Sequence, residues 1–338
     1  MRMAGYQDVI KKDRDTALKI NISWHVFYPA CSTTPWQLDG VIKTMLEDGY
    51  DRDLIHGCHN RTVVVSAKRG EVLNKHKPVI EAHGLRNVHL YEDEEWITYV
   101  PKGRMLVLNE IYPEGIQIPR RFIGENIIHL PTMKTHVFTT MTGAMKNAFG
   151  GLLHEKRHFT HSVIHETLVD LLTIQKEIHP GVFAVMDGTF AGDGPGPRCM
   201  VPHVKDYIIA SADQVAIDAV SAKMMGFDPM SLPFIRLAHE AGLGCGELKD
   251  IEIKGEDISE VNWHFSKGQN TFASKGQKMI YWGPLKPLEK LLLRTFIAPW
   301  SYVASIGYHD WYWYPLIGKH RVRQALYGTK WGELFRKY

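Results

Sequence analysis

The sequence predicts an α/β fold: a layered, mostly parallel sheet with helices on both faces. Three observations lead to this prediction. Short apolar runs alternate with stretches of helical periodicity along most of the chain. One run, GVFAVMD at 181–187, is apolar almost without interruption, as is usual for strands covered on both faces. With 338 residues, 44% of them hydrophobic, the chain can bury a sizeable core.

The first part of the chain supplies most of the predicted strands. The first strand is ALKINISWHVFYP, and a helix follows it with Thr33 or Thr34 as N-cap, Pro35 in its first turn and Gly49 at its end. Another helix is predicted over 70–83. The remaining strands are DLIHGCH, NVHLYED, RMLVLNE and NIIHLP.

The second part predicts three helices and two strands. The first helix runs from about 137 to 149 and is stopped by Gly150-Gly151, and the second runs from about 160 to 178. GVFAVMD then leads into a glycine-proline loop, GTFAGDGPGPR. DYIIASAD is the next strand, and QVAIDAVSAKMMG is a helix with Asp213 as its cap.

Composition restricts the class of protein. A net charge of +3 argues against a nucleic-acid partner. The four cysteines are scattered, which fits neither a disulfide framework nor a zinc ribbon. The chain starts with polar residues rather than a signal peptide, and no apolar stretch is long enough to span a membrane. We therefore expect a reduced, cytoplasmic protein.

The strongest candidate site lies in the run NIIHLPTMKTHVFTTMTGAMKNAFGG. Lys134 and His136 directly follow a predicted strand. On the predicted helix, Thr139, Gly143, Lys146 or Asn147, and Gly150 recur at three- and four-residue spacing and so share one face. Two lysines that meet a helix N-terminus form an anion site. Lys134, His136 and Lys146 are candidate catalytic residues, while the candidates for cofactor binding here are Thr142, Gly143 and Asn147. The alternative is a small-residue helix packed on the sheet, with its lysines in solvent.

Other strand ends should contribute to the same edge. Asp187 closes a predicted strand and is a further candidate catalytic residue, which could orient a histidine or a lysine or bind a metal. We expect Gly188 and Gly192 after it to turn backbone amides toward an anion. Asn60 and Arg61 follow an earlier strand, and Arg61 suits a carboxylate or a phosphate. The alternative for Asp187 is a turn aspartate that bonds its own loop.

A histidine-rich stretch, HEKRHFTHSVIHE, gives a second candidate. His158 is a candidate general acid or base, because an unperturbed histidine pKa lies near neutrality. His158, His161 and His165 are candidate metal ligands, although no carboxylate or thiolate partner is evident.

Several of these motifs occur together, in the same order, in a known family. The pattern IPRRFI, NIIHLPTMKTH, TGAMKNAFGG, AVMDGTFAGDGPGP, SADQVAIDAVSAKMMGFDP resembles the domain of unknown function 362 (DUF362) family, over about 118–244 and more weakly over 20–60. The resemblance implies a shared α/β fold and a shared site. Many members carry an added ferredoxin-like module with clustered cysteines, which this sequence lacks. A more distant similarity to the N-terminal part of nickel-pincer lactate racemases implies histidines and a lysine that move protons or hydride.

The composition changes near residue 280, so we predict an α/β domain over 1–280 and an aromatic-basic extension over 281–338. The extension is rich in tryptophan and in lysine and arginine. Such a segment suits the surface of an anionic membrane, on the inner face of which the protein would be peripheral. The alternative is that its rings pack across the α/β core or close over the site.

Two functions follow from these observations. The first is an enzyme of isomerase or oxidoreductase type that binds a small molecule with a carboxylate or phosphate group. The second is a non-catalytic redox or cofactor-carrying accessory protein, associated with a membrane. The sequence identifies neither the cofactor nor the substrate.

Overall fold

A computed structural model describes residues 1–92, 94–295 and 298–338, without the side chains of Glu155, Lys156, His158 and Arg294. The strands are β1 (Thr16–Ile20), β2 (Ile55–His59), β3 (Arg86–His89), β4 (Trp96–Tyr99), β5 (Ile116–Pro119), β6 (Asn126–Leu130), β7 (Thr132–His136), β8 (Thr140–Met141), β9 (Val182–Asp193) and β10 (Val201–Ser211). The α-helices are α1 (Tyr6–Val9), α2 (Pro35–Glu47), α3 (Ala67–Leu73), α4 (His76–Ala82), α5 (Leu108–Ile111), α6 (Ala144–Leu152), α7 (Ile164–Ile178), α8 (Gln214–Met225), α9 (Pro233–Glu240), α10 (Phe272–Tyr281), α11 (Glu289–Arg294), α12 (Pro299–Ile306), α13 (Lys319–Gly328) and α14 (Lys330–Lys337).

The predicted α/β class is confirmed by a mostly parallel sheet. Its order is β3-β2-β1-β6-β9-β7-β8, with β10 antiparallel to β9, while β4 and β5 form a separate antiparallel pair. Because side chains alternate along a strand, β9 contributes side chains to the cores on both faces of the sheet. Ala184 and Met186 pack in the core that α6 to α9 cover, whereas Phe183 and Val185 pack in the core that α1, α2 and α4 cover.

Two predicted helix starts are confirmed by their caps. Thr34 accepts a hydrogen bond from the Gln37 amide in a capping box, and Pro35 opens α2. Asp213 accepts hydrogen bonds from the amides of Val215 and Ala216 at the start of α8.

The prediction of a strand at 104–110 is wrong. The amides of Leu106, Val107 and Leu108 donate to the buried carboxylate of Asp170, at 2.7, 2.9 and 2.9 Å. Amides held by a side chain cannot form a strand ladder. The chain instead passes through the short helix α5 on its way from β4 to β5.

The helix predicted from 137 starts only at Ala144. The chain first forms β7, which lies parallel to β9, and then the short strand β8, which turns back on β7. Thr139 and Gly143 therefore precede α6, and the predicted face that they share with Lys146 does not exist.

The prediction of a loop directly after Asp187 is also wrong, because β9 continues to Asp193 and pairs with β10 from Ala184 to Asp193, with one irregularity in the register. Gly188 and Gly192 lie in this buried strand. A Cβ at Gly188 would lie 2.5 Å from the sulfur of Met133, and one at Gly192 would lie 2.6 Å from the sulfur of Met200. These glycines make room for methionine side chains, and their amides do not form an anion-binding loop.

Three other boundaries differ from the prediction. The first strand ends at Ile20, where the Asn21 amide turns to the Thr33 hydroxyl. The helix predicted over 70–83 is divided into α3 and α4 because Lys75 has a positive φ of 66°. A 3₁₀ helix, Glu155–Val163, precedes α7.

The C-terminal extension continues from α11 and α12 into a π-helix, Gly307–Gly318, and then α13 and α14. Its last part packs on the α/β core. Phe335 stacks on Phe27 with ring centroids 3.8 Å apart, and Trp331 stacks on Trp36 at 5.2 Å. Within the described ranges, no helix is both long and apolar enough to cross a membrane.

Candidate functional site

A cavity of about 280 Å³ lies beyond the carboxyl ends of β1, β2 and β7. Ligands of open α/β sheets bind at this edge. Its walls come from five parts of the chain: the residues at the ends of β1 and β2, the segment from β7 to α6, the 3₁₀ helix before α7, the Gly196-Pro197 turn, and the helices α10 to α12 with the start of the π-helix. The extension thus closes the cavity on one side.

The lining of the cavity is strongly cationic. Among the described residues that line it, four are lysine or arginine and none is aspartate or glutamate, the four being Lys19, Lys146, Arg157 and Arg198. Because like charges repel one another, a bound anion would relieve the repulsion among these four cations. The arrangement therefore suits an anionic ligand.

Of the four cations, Lys146 is the one to whose amine a ligand could supply the most polar contacts. Its Nζ lies over the ring of Phe149, 5.3 Å from the centroid. Burial, together with the charges of Lys134 and Arg157, lowers the pKa of Lys146 to about 7. Near neutral pH the amine is therefore partly unprotonated and able to accept a proton.

His136 faces the cavity in a defined tautomer. Its Nδ1 accepts hydrogen bonds from the amides of Phe138 at 3.1 Å and Thr139 at 3.4 Å, so the ring proton lies on Nε2. Burial, and then the charge of Lys146, hold the pKa of His136 well below its usual value. The imidazole is neutral and suits a hydrogen-bond donor better than a general base.

Three of the predicted ligand-binding residues also line the cavity: Asn60, Thr142 and Asn147. Among the described atoms, the hydroxyl of Thr142 and Oδ1 of Asn147 are buried without a hydrogen-bond partner. The amide group of Asn147 donates to the Lys19 carbonyl at 2.9 Å, and that of Asn60 donates to the Leu153 carbonyl at 3.2 Å. Buried polar atoms without partners are rare, and two of them beside one cavity favour a ligand site.

Lys134 and Asp187 lie at the same sheet edge, but their polar atoms are bonded inside the fold. Lys134 donates to Asn21, Cys31 and Thr132 and is completely buried. Asp187 accepts from the Thr34 hydroxyl and from the Thr189 amide. Neither residue lines the cavity. Lys134 contributes its charge from behind the wall.

The N-terminus of α6 is already capped by a side chain of the fold itself. The carboxyl group of Asp218 accepts hydrogen bonds from the amides of Ala144, at 2.5 Å, and Met145, at 3.1 Å. Gly143 has a φ of 94°, and a Cβ there would lie 2.4 Å from Asp218. Asp218, rather than a ligand, is what approaches the backbone at Gly143.

The last glycine of the motif, Gly151, makes room for the side chain of Lys19. A Cβ at Gly151 would lie 2.6 Å from Cε of Lys19, so the glycine lets this side chain pass over α6. Nζ of Lys19 donates to the Ile20 carbonyl at 2.5 Å, and burial lowers its pKa to about 8.

The remaining predicted residues lie in different places. Arg61 is exposed, with its guanidinium over the ring of Tyr91 at 5.4 Å. His161 lines the cavity and stacks on Phe149, whereas His165 stacks on Phe234 away from it. The side chain of His158 lies outside the described part of the chain.

Sequence reasoning missed Lys19, Arg157 and Arg198. A signal was present for Lys19, since a lysine within the apolar run ALKI needs an explanation. Arg198 directly follows the Gly-Pro turn at the cavity. Nothing in the local pattern distinguishes Arg157 from a surface arginine.

The cysteines are divided between different parts of the core. Cys31 and Cys199 lie in one cluster and Cys58 in another. Burial raises the pKa of each of these thiols, to about 11 for Cys31 and about 12 for Cys58 and Cys199. Protonated, separated thiols do not favour an iron–sulfur cluster.

Comparison with known proteins gives one family and one relative. The model of the family described as "Domain of unknown function (DUF362)" matches residues 16–223. A protein named "Thylakoid-associated protein", from Synechocystis sp. (strain ATCC 27184 / PCC 6803 / Kazusa), is 30% identical over 124 residues. That segment is 35% of this chain and 37% of the relative's length. No solved structure was found that matches the chain.

Proposed function

The chain belongs to the DUF362 family, and we propose that it is an enzyme of isomerase or oxidoreductase type that binds a small molecule through a carboxylate or phosphate group. The observation that carries the proposal is the charge of the cavity. The described residues that line it include four cations and no acid. The positive potential of such a lining favours the binding of an anion.

Some residues of the cavity would bind the ligand, and others would donate or accept protons. Arg198 and Lys19 would neutralise the anionic group. His136 would donate its Nε2 hydrogen to an oxygen of the substrate, since its Nδ1 already accepts backbone hydrogen bonds. Lys146, with a pKa of about 7, would accept or return the proton that the reaction moves. This assignment places the acid–base step on Lys146 instead of His136.

Binding can be measured with sulfate, a probe whose charge does not change near neutral pH. We expect Lys146→Met to weaken sulfate binding by about 10-fold to 100-fold, the effect of a lost charged hydrogen bond. Lys176→Met is the matched control, because Lys176 is exposed on α7. Equal affinity in wild type and both variants would exclude Lys146 as a ligand of the anion.

Catalysis needs the natural ligand. Mass spectrometry of small molecules released from the purified, denatured protein would identify what the cavity holds. An acidic metabolite that is absent after purification of Lys146→Met supports the proposal. A neutral or cationic compound released equally from both proteins contradicts it.

A second proposal concerns peripheral attachment to an anionic membrane through the extension. Val303, Trp311 and Leu316 are 59%, 72% and 67% exposed, among neighbouring basic residues that suit acidic headgroups. Trp313, by contrast, is buried against Trp24 and Tyr28. The relative named thylakoid-associated is consistent with attachment to a membrane.

Flotation with anionic and neutral vesicles tests this attachment. Point variants are needed, because truncation of the extension would also remove Phe335 and Trp313 from the core. We expect Trp311→Ser with Leu316→Ser to abolish binding to anionic vesicles. Flotation that is unchanged in the double variant would contradict the attachment.

A further inference from the structure

A cluster of two histidines and a glutamate lies outside the cavity, at the same edge of the sheet. His59 and His89 are the last residues of β2 and β3, and they are register partners in the parallel ladder. Paired residues of adjacent strands direct their side chains to the same face. Glu71 reaches them from α3, which belongs to the crossover between the two strands.

The three side chains converge on one point. Nε2 of His59 lies 2.7 Å and Nε2 of His89 lies 2.9 Å from Oε2 of Glu71. The possible ligand atoms of the three residues lie within 4.8 Å of one another. In the part of the chain that the structure describes, this is the one group of three or more histidine, cysteine or acidic side chains so arranged.

The donor set matches the chemistry of a transition metal. Two imidazoles and one carboxylate are the protein ligands of many zinc and non-haem iron centres, with further positions open to water or substrate. At a zinc–ligand distance of about 2.0–2.2 Å, tetrahedral ligands are about 3.3–3.6 Å apart. The nitrogens would have to move from the glutamate oxygen by less than about 1 Å.

Charge and access also favour a cation. Oε2 of Glu71 lies between the two imidazoles, so the cluster offers a carboxylate to a cation at its centre. The side chain of Asn87 donates to Oε2 of Glu71 at 2.7 Å and orients the carboxylate. His89 is 18% exposed, so an ion can enter from its side.

We propose that His59, Glu71 and His89 bind a divalent transition metal such as Zn²⁺, in a site distinct from the anion cavity. The metal would replace the two N–H···O hydrogen bonds, and each imidazole would then carry its proton on Nδ1. Nδ1 of His59 is buried with no partner among the described atoms. Because an outer hydrogen bond to a histidine ligand contributes about 10-fold to 100-fold in affinity, we expect binding weaker than in structural zinc sites.

The test uses the full chain, stripped with a chelator and titrated with Zn²⁺ against a chromophoric indicator. We expect one equivalent to bind and to raise the thermal midpoint, since the metal binds only the folded site. Co²⁺ should give the absorption of a tetrahedral or five-coordinate nitrogen–oxygen site, without a thiolate charge-transfer band.

Variants locate the ion. His89→Ala and Glu71→Gln should each lower Zn²⁺ affinity by at least about 10-fold, while His83→Ala should not, because His83 bonds to Asp39 away from the cluster. His89→Ala removes a partly exposed side chain, so it keeps the test valid if Glu71→Gln does not fold. Wild-type protein that binds no stoichiometric metal overturns the proposal, as does binding unchanged in the two cluster variants.

Discussion

Lys134 and Lys146 come from one motif and lie near one edge of the sheet, yet they have opposite surroundings. Lys134 is completely buried, and its ammonium donates to Asn21 Oδ1 at 3.1 Å, Cys31 O at 2.8 Å and Thr132 Oγ1 at 2.7 Å. Lys146 lines the cavity, with its Nζ over an aromatic ring. Burial lowers both pKa values, to about 8 and about 7. A lowered pKa therefore does not distinguish a structural lysine from a ligand-binding one, whereas the hydrogen-bond partners do.

Stability should separate the two lysines most strongly. Lys134→Ala removes a donor that makes three hydrogen bonds inside the fold, and it opens a cavity, so we expect a loss of about 3–5 kcal/mol. Lys146→Ala removes a cation that its neighbours repel, so we expect a change of less than about 1 kcal/mol. Guanidinium unfolding of both variants measures the difference, and equal losses would remove the basis of the comparison.

A second contrast concerns two groups that accept hydrogen bonds, the carboxyl group of Asp218 inside the fold and the anionic ligand in the cavity. Asp218→Ala leaves the amides of Ala144 and Met145 without an acceptor, and we expect a loss of about 2–3 kcal/mol. Asp218→Asn keeps an acceptor oxygen and should lose less.

The pH dependence gives an independent check on Asp218. Burial raises its pKa to about 8, although the hydrogen bonds from the two amides oppose this. The folded protein thus holds a proton that the unfolded chain releases near pH 4, so this group's contribution to stability falls as pH rises from about 4 to 8. Unfolding of Asp218→Asn should lack this slope. A slope that persists in Asp218→Asn must come from another group.

Lys146 should also control how anion binding depends on pH. Its pKa in the folded protein is about 7, and a bound anion would raise it. Sulfate affinity should therefore fall as pH rises through 7, by up to about 10-fold for each pH unit while one proton is taken up on binding. Calorimetry in buffers of different ionisation enthalpy measures that uptake at pH 8. In Lys146→Met the fall should shift toward pH 8, where Lys19 loses its proton. An affinity independent of pH between 7 and 9 would assign the anion to arginine alone.

Sequence patterns were sufficient for the fold class, the caps at Thr34 and Asp213, and the strand-to-helix motif with Lys146. They failed where a distant side chain takes over backbone groups. Asp170 captures the amides of a predicted strand, and Asp218 caps α6 from another helix. The pairing of His59 with His89 likewise depends on strand register, which the local sequence does not fix.

The smallest expected effect belongs to Thr142, whose hydroxyl is buried at the cavity without a partner among the described atoms. Thr142→Val removes this hydroxyl at nearly constant volume, so the free protein should gain about 0.5–1 kcal/mol of stability. A bound oxyanion can supply the missing acceptor, so the same variant should bind sulfate about 3-fold to 10-fold more weakly. Changes of opposite sign in unfolding and in calorimetry are expected only if the hydroxyl serves a ligand. Lower stability with unchanged affinity would mean that Thr142 belongs with Lys134, among the groups that the fold itself uses.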